Sequence, residues 1–242
     1  MRVHVSYALC LFDSLGLTVN PKKSVLFPTQ EIEFLGVILN SEVMTSTLTS
    51  RKKDRIKAQG LLLLDGVVSL HSRSSFIGMA VASDPAVELA PLRYKYLEIV
   101  RNRELSFHHG DYSALVLLDH HARELVAWWV DNVHTQVKSL RSCPYQLEMF
   151  CDASLTGWGA VAGIVRTGGH WAHDELDHIY CLELKAIFSG LHSLYKDSRD
   201  THIRVHSDNA TAIACLERHG SIKLNLNSLV EQKFFPGLSR GA

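Results

Sequence analysis

The chain has 242 residues, 46% of them hydrophobic and 21% charged, which is enough apolar material for one large domain or two small ones and too few charges for a disordered tail. Twenty-five Lys and Arg against 25 Asp and Glu give a formal net charge of zero, which excludes a basic polyelectrolyte that holds nucleic acid by bulk attraction. The cysteines, Cys10, Cys143, Cys151, Cys181 and Cys215, are odd in number, scattered and without a CxxC pair, so neither a disulfide framework nor a zinc ribbon is expected and a reducing cytoplasmic or nuclear setting is.

Val5, Leu9, Phe12 and Leu15 fall at helical spacing, with Gly16 as the stop. They predict an amphipathic helix and not a secretory signal, since Asp13 interrupts the apolar stretch and no small-x-small cleavage site follows. LTVNPKKSVLFP and EIEFLGVIL, punctuated by Pro21 and Pro28, predict two short strands with a turn. From Ser50 the basic run RKKDRIK opens a string of short helices broken at Gly66, Gly78, Pro85, Pro91 and Gly110. The last of them, from about Tyr112 to Val133, carries Leu115, Leu118, Ala122, Leu125 and Trp129 at spacings of three and four. Leu61 to Leu64 with Val67 and Val68 is broken by Asp65 and Gly66, too short to span a bilayer, so no membrane partner is expected.

After the loop at Ser142-Cys143-Pro144 a new domain is expected. Tyr145 to Cys151 alternates with Leu147, Met149 and Cys151 on one face, Trp158 to Val165 is a second strand, a third lies near Gly169 to His173, and His202 to Ser207 alternates through Ile203 and Val205. Between them Leu184, Ile187, Phe188, Leu191, Leu194 and Tyr195 form one stripe of a helix from Cys181 to Tyr195. That order predicts an α/β fold with a mixed sheet.

Asp152 and Asp208 close two of these strands, and the carboxyl ends of neighbouring parallel strands form the usual ligand crevice of such sheets. Glu183 shares a helix face with Ile187, four residues on, which turns it towards the sheet. Three convergent carboxylates repel one another unless a cation neutralises them, and hard oxygen ligands favour Mg²⁺ or Mn²⁺. Two such ions about 3.5–4 Å apart suit phosphodiester hydrolysis. The bland alternative is that the aspartates cap helices or turns and the glutamate is solvated.

FCDASLTGWGA, GHWAHDELDHIYCLELKAI and IRVHSDNATAIACLERHGS resemble, in that order, the ribonuclease H domain of retroelement reverse transcriptases, most closely the DIRS-type, tyrosine-recombinase retrotransposons. SLGLTVNPKKSVLFPTQEIEFLGVIL resembles the end of a reverse transcriptase palm, and the stretch from Arg51 through ELVAWWVDN the thumb and connection. The resemblance implies a ribonuclease H-like mixed sheet with flanking helices at 142–242, preceded by a helical thumb/connection-like region at 51–141 and a palm remnant at 1–50. It implies that Asp152, Glu183 and Asp208 bind two Mg²⁺ or Mn²⁺ ions and hydrolyse the RNA strand of RNA/DNA hybrids. Ser154 or Asn209 would contact the hybrid, and Lys22 or Lys23 would match the lysine after the palm helix; the RKKDRIK run from Arg51 to Lys57 is either a solvated helix face or, by the thumb resemblance, a contact for phosphates through Arg51, Lys52 and Lys53. Phe34-Leu35-Gly36 matches the primer-grip hairpin. The family has a fourth acidic ligand, with no counterpart here, since only Glu217 and Glu231 are acidic after Asp208; the YxDD-like aspartate pair also has none. The expected chain is therefore truncated at both ends, unable to polymerise DNA alone, and a partner of the missing polymerase portion. The sheet is expected to expose apolar surface that Ile222 to Phe235 covers only in part. The alternative function is a catalytically inactive relic that at most binds nucleic acid or a partner chain.

Other groupings carry less. His170, His173, His178 and Cys181 do not have the spacing of an established zinc finger. His108-His109 and His120-His121 are adjacent, so their rings diverge as surface residues. Ser154, Ser207 and His206 lack a GxSxG elbow for a hydrolase triad. Trp128 and Trp129 are expected to pack between helices rather than stack on bases.

Overall fold

Gly16, at φ +73°, closes the first helix, α1 (Arg2–Ser14), and its amide turns back onto the Asp13 carbonyl, a left-handed stop that costs glycine nothing. The computed structural model describes residues 2–221 and 223–235. The helix is there, but its apolar stripe stays open: Phe12 is 41% and Leu15 64% exposed. Residues 17–30 hold no strand. A 3-10 turn at Pro21–Lys23, capped by Asn20 through the Lys22 amide (3.0 Å), replaces the first expected one, because Pro21 has no amide for a ladder. The hairpin β1 (Glu31–Phe34) and β2 (Val37–Asn40) follows, turning through Leu35 and Gly36, both at positive φ.

β3 (Thr45–Leu48) extends this sheet and was not expected; its buried residues are Ser46 and Leu48. α2 (Ser50–Leu64), β4 (Val68–Ser69), α3 (Leu70–Val81), α4 (Ala90–Phe107), β5 (Leu115–Val116) and α5 (His120–Asn132) come next, and β6 (Lys138–Ser139) returns to pair with β3. Three expectations are corrected. Gly78 lies inside α3, and Pro91 sits in the first turn of α4, where its missing amide has no helical partner to lose. The long helix from Tyr112 starts only at His120, because Leu115 and Val116 pair with Ser69 and Val68 and Asp119 caps α5 by accepting the Ala122 amide (2.8 Å). Ile56 and Leu63 of α2, Phe76 of α3, Leu97 of α4 and Val126 and Trp129 of α5 share one core. Gly60 lets α2 lie against α5, since a Cβ there would sit 2.6 Å from Val130 Cγ2.

The rest builds a second core. β7 (Leu147–Ala153), β8 (Gly157–Ala162) and β9 (Val165–His170) form an antiparallel meander, and α6 (Ile179–Tyr195) crosses over to β10 (Ile203–His206), which pairs parallel with β7. The sheet order is β10-β7-β8-β9, a mixed sheet. The second expected strand breaks at Gly163 (φ +57°) into a hairpin tipped by the 98% exposed Ile164, and the third lies at Val165–His170 rather than near Gly169 to His173. α7 (Ala210–Glu217) and α8 (Leu224–Phe234) follow. Met149, Cys151 and Ala160 face Leu184 and Ile187 of α6.

α8 packs on α6, α7 and α4. It therefore lies on the helical side and leaves the opposite sheet face, with the half-exposed Phe150, bare of α8, which corrects the expectation of partial cover; Ile222 and 236–242 lie outside the described residues. α4 joins the two cores. Its Leu92 enters the second, Lys95 Nζ donates to the Arg218 and Gly220 carbonyls at the end of α7 (2.6 and 2.7 Å), and His121 of α5 meets Glu231 of α8 at 3.7 Å. No described helix is long and apolar enough to cross a membrane.

Candidate metal centre

Period-two alternation sends Met149 and Cys151 to the helical side and Glu148, Phe150 and Asp152 to the open side of β7. Asp152 lies within the ladder, opposite Gly159, and the strand expected to end on it runs one residue further, to Ala153. β10 ends at His206, so Asp208 sits in the turn beyond it and not in the strand. Glu183, two turns of helix from Gly190, is 3% exposed on the inner face of α6. Ligand atoms of Asp152, Glu183 and Asp208 all lie within 4.8 Å of one another, the only such acidic, histidine and cysteine group among the described residues.

The electrostatics follow from that crowding. Burial holds the Glu183 carboxyl above the usual carboxylate range, the charges of Asp152 and Asp208 push it further, and the Ser207 hydroxyl and Ala153 amide work the other way. Burial and the same three acids push the neighbouring Cys151 thiol up to about 12. None of the ion pairs among the described residues involves the three acids; His206 pairs with Glu148 (2.8 Å) and stacks on Phe150. An all-oxygen set with concentrated negative charge and no internal counter-ion fits hard divalent cations.

Beside it runs an open trough of about 840 Å³ along the β7–β9 meander. Register places His206, Phe150, Val161 and Arg166 in one row across its face and Asp152, Gly159 and Gly168 in the next. A Cβ on Gly159 would meet nothing within 4 Å, whereas one on Gly168 would lie 2.7 Å from the Trp158 carbonyl.

The other expected contact residues are distributed unevenly. Ser154 borders the trough, but its hydroxyl is engaged: it accepts from the Thr156 and Gly157 amides (3.2 and 3.1 Å). Trp171 Nε1 donates to the Ser154 carbonyl (2.8 Å) and fixes the turn. Asn209 caps α7, accepting from Thr211 and Ala212 (3.1 and 3.0 Å). Lys22 and Lys23 are exposed on the 3-10 turn. Lys52 Nζ donates to the Ala82 carbonyl (2.6 Å) and Lys53 Nζ to that of His134 (3.0 Å). Those two lysines tie α2 to the ends of α3 and α5. Exposed Arg51 borders a cleft of about 400 Å³ with Arg55, Lys52 and Glu33. Trp129 is fully buried and donates to the Arg93 carbonyl (3.2 Å). Of the four His and Cys residues weighed for zinc, Cys181 is buried and accepts from Asn225 Nδ2 (3.5 Å). Sequence reasoning missed Ser207, the Ala153 amide and Trp171 as partners of the site, since no spacing rule marks which distant group a hydroxyl, an amide or an indole will reach.

No protein-family model and no curated protein matches the chain. Among solved structures it is similar to the foamy viral protease-reverse transcriptase dRH in complex with double-stranded DNA, at 15% identity and TM-score 0.39, over 96% of this chain and 40% of that one. It is also similar to the foamy viral protease-reverse transcriptase in complex with RNA/DNA hybrid, at 16% identity and TM-score 0.40, over 98% of this chain and 32% of that one. The chain thus spans 32–40% of the length of those proteins.

Proposed function

We propose that the chain is reverse transcriptase and ribonuclease H sequence of a DIRS-type retroelement, with palm at 1–50, thumb and connection at 51–141 and a nuclease at 142–242 that hydrolyses the RNA strand of RNA/DNA hybrids. The observation that carries this reading is the meeting of Asp152, Glu183 and Asp208 within 4.8 Å, with Glu183 buried, in a segment whose three motifs follow the ribonuclease H order. Asp152, Glu183 and Asp208 would hold the ions, Mg²⁺ or Mn²⁺. Two divalent ions bound there supply Lewis acidity for the attacking water and the departing sugar oxygen. The chain's own groups set the geometry. Glu183 is fixed by burial in α6, the exposed aspartates face the substrate, and Gly159 beside Asp152, where a Cβ would meet nothing within 4 Å, leaves room for a nucleic-acid backbone to approach closely. Hybrid is recognised by shape and the 2′-hydroxyl, so sequence specificity is not expected.

The test is cleavage of a labelled RNA/DNA hybrid by the purified chain with Mg²⁺ or Mn²⁺, beside Asp152→Asn and a double-stranded DNA control. The expected result is cleavage of hybrid alone, with Asp152→Asn at background, a loss beyond the roughly 10–100-fold typical of an outer-shell partner. Equal cleavage by the variant, or none by the folded wild-type chain, overturns the proposal; the second outcome leaves a non-catalytic nucleic-acid or partner-binding chain.

A further inference from the structure

Glu183 is the one buried acid of the three, so its direction is set by whatever donates to it inside the fold. A carboxylate oxygen out of water needs hydrogen-bond donors. Among the described residues one side-chain donor reaches it. Ser207 Oγ donates to Glu183 Oε2 at 3.4 Å, from the turn between β10 and α7, and in turn accepts the Asn209 amide at 3.2 Å. Asn209 is itself pinned as the cap of α7 by two amides. Ser207 is half-buried and immediately precedes Asp208, so one hydroxyl ties the helix-borne acid to the strand-end turn that carries the other acid.

We propose that Ser207 is a positioning residue for the metal centre: its hydroxyl fixes the Glu183 carboxylate relative to Asp208 before an ion arrives. This rests on the proposed function. The metal meets a preset pair instead of two acids on independent elements, and partners of this kind typically change metal affinity by about 10–100-fold when removed. A threonine keeps the hydroxyl and an alanine does not, which separates the hydrogen bond from the packing of the turn.

The test is Mn²⁺ binding to the full chain by loss of the free-ion electron paramagnetic resonance signal, for wild type, Ser207→Ala and Ser207→Thr, with circular dichroism melts for folding. The expected result is an affinity about tenfold weaker for Ser207→Ala, with Ser207→Thr close to wild type. Wild-type affinity in Ser207→Ala overturns the positioning role and leaves the nuclease reading standing. Equal weakening in Ser207→Thr also overturns it, by assigning the effect to packing of the turn. A wild-type chain that binds no Mn²⁺ overturns the metal centre itself, and Ser207's role with it.

Discussion

Replacing Gly190 by alanine should unseat the helix that carries Glu183. An added Cβ would lie 2.8 Å from Ala160 Cβ and 2.9 Å from Met149 Sδ. The thioether end of Met149 can swing aside, but Ala160 belongs to the middle of the sheet, so α6 has to retreat by about 0.6 Å to reach ordinary contact at 3.4 Å. Overpacking costs about 1–3 kcal/mol, here the upper part of that range, about 2–3 kcal/mol, because the contacted Ala160 Cβ cannot swing aside, and the helix preference of alanine over glycine returns about 1 kcal/mol. The net is about 1–2 kcal/mol of destabilisation, or a melting midpoint lower by about 2–8 °C for a chain of this size. Gly78 supplies the control. It also lies in mid-helix, but a Cβ there meets nothing within 4 Å, so Gly78→Ala should stabilise by about 0.5–1 kcal/mol. Thermal melts by circular dichroism of both variants test the pair. A Gly190→Ala chain that melts at or above wild type, as Gly78→Ala should, would refute the packing argument and the seating of α6 on the sheet.

Lys95→Met removes two hydrogen bonds to the carbonyls at the end of α7 while keeping most of the stem, and should cost about 1.5–3 kcal/mol in denaturant melts; an unchanged midpoint would mean that α4 and α7 are held by apolar contact alone. His121 is held above its ordinary pKa, first by the hydrogen bond with Glu231, against the opposing effect of burial. Because the folded value is the higher one, its contribution is fully present below the unfolded pKa of about 6.5 and is lost as pH rises through the folded pKa. His219 shifts downward by burial and acts in the opposite sense, so the wild-type minus His121→Gln difference in melting midpoint, followed from pH 5.5 to 8.5, isolates the pair; a difference that does not shrink with pH counts against it. Cys10 and Cys143 are exposed while Cys151, Cys181 and Cys215 are buried, with the Cys151 thiol pushed up to about 12 and that of Cys181 to about 11. Two fast thiols at pH 8 are expected with an aromatic disulfide reagent, and five in denaturant; more than two fast ones in the folded chain would contradict the packing around the acids.

What sequence shows well here is local rhythm against one partner. Leu184 and Ile187 mark the buried face of α6, and with it the inward turn of Glu183; Met149 and Cys151 mark the buried face of β7 and so the open face of Asp152. The mixed α/β class follows from the same rhythm. What it hides is anything decided by a distant partner. TSTL has no alternation of large apolar residues, and it becomes β3 because β2 and β6 pair with it. Leu115 and Leu118 keep helical spacing with Ala122, yet Leu115 is drawn into the ribbon with β4. Lys52 and Lys53 look like free charge because the carbonyls they reach are 30 and 81 residues away. Asp208 is placed two residues past its strand for a similar reason: β10 stops where its pairing with Phe150 stops.

The parallel pairing of β10 with β7 also has a temporal meaning. β7, β8 and β9 are neighbours in sequence and close by hairpins, but Cys151 and His206, which touch across the β7–β10 seam, are 55 residues apart, with the whole of α6 between them. Long closures of this sort are slow, and a chain emerging from a ribosome completes its earlier, more local units first. The α2–α5 helical core can therefore assemble while Asp152 still stands alone at the edge of a three-stranded meander. Only when β10 docks does Asp208 come within 4.8 Å of Asp152 and Glu183, so the acid triad is completed by a long-range closure and not by the local hairpins, and a mutation that loosens that seam is expected to spread the three acids apart.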